Sequence, residues 1–165
     1  MKKNKKGFTL IELTAVVIIL AIIASIALPS YKVSAMKTRI VNNMPLMRIL
    51  QNDMINYYNL RGSLPTKLVQ LSINKKEFSN ITNTSATHTQ TNCTLSLNET
   101  VLSIDCGQGW IMKYTLVSSP SSIGYSVGEN TIEVTDENVS GTVKKIATGL
   151  SWPQKTGSST IYIIK

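Results

Sequence analysis

Residues 8–28, FTLIELTAVVIILAIIASIAL, carry a single charge, Glu12, and neither glycine nor proline over twenty-one positions. At the usual helical rise this segment is roughly 31 Å long, which matches the hydrocarbon core of a bilayer. A soluble core helix apolar on every side would be out of proportion in so short a chain, and Glu12 would still need a partner inside it. The segment is therefore expected to cross a membrane. Lys2, Lys3, Lys5 and Lys6 lie ahead of it, against Lys32, Lys37 and Arg39 behind it. That bias, though modest, turns the N-terminus toward the cytoplasm and the bulk of the chain outward.

Such a segment serves either as a cleaved secretory signal or as a permanent anchor. A secretory signal ends in small residues with an A-x-A-like spacing. Ser25 and Ala27 supply only a weak version, with Pro29 just beyond, so an anchor is the default. The 165 residues accommodate one globular domain beside it. A formal net charge of +8 suggests an anionic partner. Four of the seventeen basic residues are the leader lysines, however, and without them thirteen face nine acidic side chains. Cys93, Cys106 and His88 are too few for a four-ligand zinc site, so no structural metal is expected.

The junction ahead of the apolar run narrows the choice. Gly7-Phe8-Thr9-Leu10-Ile11-Glu12 follows the short lysine-rich leader and opens an uninterrupted apolar stretch that ends at Pro29-Ser30-Tyr31. This resembles the class III signal of type IV pilins and of their relatives, the pseudopilins of type II secretion. The resemblance is close up to about residue 60 and architectural beyond it. It implies a cut between Gly7 and Phe8 by a prepilin peptidase on the cytoplasmic side, and methylation of the new Phe8 amine by the same enzyme. It also implies a homo-oligomeric helical filament and an inner-membrane assembly platform as partners.

The residues suit that chemistry. Gly7 offers a protease an unhindered backbone. Glu12 lies one helical turn from the new ammonium of Phe8, near a positive helix end. A carboxylate in apolar surroundings is costly. The Phe8 ammonium of a staggered neighbour would offset that cost, so Glu12 is expected to set the register of assembly.

Beyond the apolar run, Val33, Met36, Ile40, Met44, Met47, Leu50, Met54 and Tyr57 recur three or four residues apart, the spacing of an amphipathic helix. One helix from 9 to 59 is expected, apolar over 8–28 and amphipathic over 29–61. Pro29 and Pro45 each remove a backbone hydrogen bond, to Ser25 and Val41, and are expected to kink the helix without breaking it. The methionine-rich stripe reads as core. Gly62 and Pro65 close the helix. Residues 65–71 offer another helical turn, and 79–92, rich in Asn, Ser and Thr, reads as an exposed loop. Strands are expected at 93–97, 101–106, 110–117, 125–127, 131–135 and 160–164, with a short helix at 142–148. The fold class is α+β: a head over 62–165, in which a small antiparallel sheet lies on the long kinked helix, as in the pilin fold.

Cys93 and Cys106 bound the segment CTLSLNETVLSIDC. Alternation puts Leu95 and Leu97 on the face of Leu102 and Ile104. A two-residue loop at Glu99-Thr100 then pairs Asn98 with Val101, Leu97 with Leu102, Leu95 with Ile104 and Cys93 with Cys106. A non-hydrogen-bonded pair brings α-carbons to about 4.5 Å, within disulfide range. Export to an oxidising compartment favours a crosslink over two unpaired buried thiols. Glu-Thr is a poor primed turn, so an irregular tip is expected.

Signals for catalysis are thin. His88 stands in the polar stretch without a carboxylate beside it. Glu129, Glu133, Asp136, Glu137 and Asn138 form an acidic patch with no EF-hand pattern, a weak calcium candidate. Lys144, Lys145 and Lys155 lack the aromatic platform of a single-strand-binding surface, and no nucleic-acid partner is expected. Asn-x-Ser/Thr triplets at Asn80, Asn83, Asn92, Asn98 and Asn138 are what so Asn- and Thr-rich a sequence generates by composition. Neither an enzyme nor a cofactor is expected. The expected protein is a type IV pilus-like filament subunit, made as a single-pass inner-membrane prepilin with its N-terminus in the cytoplasm and assembled into an extracellular pilus. For such a filament the resemblance leaves adhesion, twitching motility, DNA uptake and electron transfer as alternative roles. One alternative is a pseudopilin in a periplasmic pseudopilus of type II secretion. Another is a membrane-anchored extracytoplasmic binding domain that never polymerises.

Overall fold

The computed structural model describes residues 7–71, 73, 76–98, 100–118 and 125–165. The basic leader ahead of Gly7 and Glu99 at the expected hairpin tip lie outside the described residues. Helix α1 runs from Leu10 to Arg61 with Pro29 and Pro45 inside it. Thr9 caps its start, and Gly62 ends it in the left-handed region (φ 68°), where its N–H donates to Tyr58 O at 2.8 Å. The stripe faces the core as its spacing requires. Ile40, Met47, Leu50 and Met54 are buried, and Val33, Met36 and Met44 pack half-buried beside them. Asn43 is a buried polar member of this face that the apolar pattern does not announce. Its Nδ2 donates to Arg39 O at 2.9 Å and approaches Cys106 Sγ at 3.6 Å.

Among the described residues, seven antiparallel strands form one sheet in chain order: β1 (Phe78–Ser79), β2 (Ser85–His88), β3 (Thr94–Asn98), β4 (Val101–Asp105), β5 (Trp110–Ser118), β6 (Tyr125–Val134) and β7 (Ile161–Ile163). Alternate residues of the central strands point inward, so that Leu95, Leu97, Leu102, Ile104, Trp110, Met112, Tyr114 and Ile132 are buried. Helix α2 (Glu137–Gly149) contacts α1 and β6 and buries Val143, Ile146 and Ala147. The head is thus a two-layer α+β structure, with its core between the helices and one face of the sheet. In the β3–β4 hairpin, Leu95 faces Ile104, Leu97 faces Leu102 and Asn98 faces Val101. One position past the Thr94–Asp105 pair, Cys93 and Cys106 form a disulfide with α-carbons 4.1 Å apart.

Several expected elements change. The supposed loop 79–92 contains the end of β1 and all of β2. Its small hydroxyl residues form a strand because β3 supplies the pairing, and Ala86, opposite Leu95, alone fills the core side. The separate strands expected at 125–127 and 131–135 are one strand, β6. Gly128 reads as a turn residue, yet a Cβ there would stand 2.6 Å from the Tyr114 ring and 2.3 Å from Thr115 O. The glycine serves close approach, and the register shift between Thr115 and Val117 absorbs the irregularity. The helix expected at 142–148 begins earlier, because Asp136 caps Glu137–Gly149. The turn expected at 65–71 is a single 3₁₀ turn, Leu68–Gln70.

Candidate functional site

The N-terminal segment is held by its own backbone alone. Every described residue from Gly7 to Lys32 is exposed, and the head covers none of the apolar run. This is one helix long and apolar enough to cross a membrane. Its hydroxyls are satisfied internally, Thr14 Oγ1 donating to Ile11 O at 3.0 Å and Ser25 Oγ to Ile22 O at 2.7 Å. A segment without water around it needs this arrangement.

Gly7 and Phe8 precede the helix, and Phe8 is 86% exposed. Nothing stands within 4 Å of where a Gly7 Cβ would lie. The Gly7–Phe8 bond is therefore in unpacked, non-helical backbone, a form that a protease can take up. At the next residue, Thr9 adopts extended backbone (φ −80°, ψ 152°) and closes a reciprocal capping box with Glu12. The Glu12 N–H donates to Thr9 Oγ1 at 3.3 Å, while Thr9 N and Thr9 Oγ1 donate to Glu12 Oε2 at 2.9 and 2.7 Å. The spacing Thr-x-x-Glu is the sequence signature of such a box, and it marks one here because Thr9 is the residue that begins the helix. Both Thr9 bonds reach Oε2, so they leave acceptor capacity on Oε1.

The other candidates are placed apart from this end. His88 lies in β2 rather than in a loop, its Nδ1 2.8 Å from Thr91 Oγ1 and its ring edge-on to Phe78. The acidic patch is divided. Glu129 pairs with Lys155 and Glu133 with Lys113 from β6, Asp136 accepts from Asn138 N at 2.9 Å, and Glu137 opens α2. Among the described residues, no three His, Cys, Asp or Glu side chains converge to hold a metal. Lys144 and Lys145 project from the exposed side of α2. Asn80 and Asn92 take left-handed turn conformations, at φ 50° and 54°.

No solved structure matches the chain. The prokaryotic N-terminal methylation motif matches residues 2–28, so the chain opens with the prepilin signal of type IV pilins and pseudopilins.

Proposed function

We propose that this chain is the precursor of a type IV pilus-like filament subunit, a structural protein rather than an enzyme. One observation carries the reading: the methylation motif at residues 2–28 runs into an apolar helix that the head leaves uncovered. Residues 1–7 are a leader that prepilin peptidase removes between Gly7 and Phe8 before methylating Phe8. Residues 8–28 hold the precursor in the inner membrane, N-terminus in the cytoplasm. They later leave lipid for a filament core, where neighbouring apolar helices replace the acyl chains. Residues 29–61 carry the head, residues 62–165, outward, with Pro29 and Pro45 allowing the helix to bend as subunits pack.

Glu12 sets the axial register in this scheme. Thr9 holds Oε2, and Oε1 accepts from the Phe8 ammonium of the neighbouring subunit. A carboxylate left among apolar side chains disfavours other registers. Immuno-electron microscopy of the native host, with an epitope tag after Lys165, tests the proposal. Label along surface fibres is the expected result. Label confined to an envelope-bound polymer would assign the subunit to a secretion pseudopilus instead. Label that never enters a polymer would refute the filament reading.

A further inference from the structure

A cleft of about 280 Å³ opens where α1 first meets the head. Arg39, Asn42 and Asn43 line it from α1, Gln90 and Thr91 from the β2–β3 turn, and Gln108 from the turn after β4. The Cys93–Cys106 disulfide completes the wall. Most small-molecule sites are apolar with a few polar groups. Here the proportion is reversed, with four carboxamides, one hydroxyl, one guanidinium and no carboxylate in the lining. Part of the wall is fixed before any ligand arrives. Asn43 is 3% exposed and directs Nδ2 to Arg39 O and Cys106 Sγ, which leaves Oδ1 as its remaining polar atom. Thr91 is held by His88, and the disulfide ties the two sheet-side walls together. Such preorganisation lowers the ordering cost of binding.

The donor set selects a ligand chemistry. A carboxamide both donates and accepts, as does each hydroxyl of a sugar. A guanidinium fits a carboxylate with paired, charge-assisted hydrogen bonds. Inorganic phosphate at neutral pH keeps only one or two O–H donors and would leave most of the carboxamide oxygens without donors. A neutral sugar would leave Arg39 unmatched. Cys106, the partly exposed half of the disulfide, adds an uncharged contact beside these polar groups. We propose that this cleft binds an acidic sugar, a hexuronate unit, with its carboxylate on Arg39 and its hydroxyls on Asn42, Asn43, Gln90 and Gln108. The cleft lies between α1 and the sheet side of the head, and the inference does not rest on the chain polymerising.

Isotopically labelled full-length protein in detergent micelles, without reductant, is titrated with sodium glucuronate, glucose and inorganic phosphate. The side-chain amide signals of Asn42, Asn43, Gln90 and Gln108 report occupancy. Glucuronate is expected to shift them saturably and glucose to bind about tenfold more weakly, the loss of one charge-assisted contact. Arg39→Gln is expected to bring glucuronate down to the glucose level while signals away from the cleft stay in place, since Arg39 is exposed and its removal leaves the core intact. Equal binding of glucuronate and glucose, tighter binding of phosphate, an Arg39→Gln protein with undiminished glucuronate affinity, or no saturable shift with any probe would each overturn the proposal.

Discussion

The two halves of α1 share one backbone and differ in what completes them. From Ile40 to Met54 the helix shows the head an apolar stripe, and the sheet and α2 cover it. Between Phe8 and Leu28, thirteen large apolar side chains are exposed on all sides. Burying each contributes about 1.5–3 kcal/mol, which over thirteen exceeds the roughly 5–15 kcal/mol by which a domain is stable. A stripe can be satisfied within one chain. A helix that is apolar all round requires lipid or other helices, so the second half specifies a fold and the first half specifies an environment.

Glu12→Val should have the largest effect and separates the halves most cleanly. Pelleted filament is expected to fall to near background, while membrane fractionation and the thermal transition of the head stay at parental values. Filament yield equal to the parent would remove Glu12 from the register account. Core substitution gives the mirror image: Met54→Ala should cost the head about 2–5 kcal/mol in denaturant titration. Leu20→Ala in the same detergent should leave that transition unmoved. A matching loss for Leu20 would mean that the apolar half packs on the head after all.

Smaller effects sharpen the picture within the head. Replacing both cysteines by serine should cost about 3 kcal/mol, because the bond closes a hairpin with sequence separation 13. Non-reducing peptide mapping should recover Cys93 and Cys106 in one crosslinked fragment, and free alkylation of both thiols would contradict it. Lys113→Ala should be nearly silent, at most about 1 kcal/mol, since the Lys113–Glu133 pair is about one-third exposed and screened by water. A larger loss would assign that pair a packing role.

What could be read beforehand follows from how local each cause is. The Met-rich stripe and the alternation across Leu95, Leu97, Leu102 and Ile104 are periodic, so the α1 face and the β3–β4 register are legible, and the Cys93–Cys106 pairing follows from that register. Strand β2 has no such pattern. Ser85–His88 is a strand because Thr94–Ser96 lies alongside it, a cause outside the segment. Gly128 looks like punctuation until Tyr114 is seen against it. Asn43 enters an apolar face because Cys106, far off in sequence, comes within 3.6 Å. At the N-terminus the apolar run and the Gly7–Phe8 junction are evident in the residues themselves. The Thr9–Glu12 box emerges only once Thr9 is known to be the cap, because helix boundaries are the least determined part of a periodic pattern.

Under the proposed processing, the apolar half persists as a working part of the mature protein after the leader is lost. Intact mass and N-terminal sequencing of the protein purified from its native host test it most directly. A chain that begins at Phe8 and carries the mass of one added methyl group is expected, with Gly7→Val protein retaining Met1 and accumulating in the membrane. A native chain that begins at Met1, or one cut beyond Ala27 so that the apolar half is lost, would contradict it.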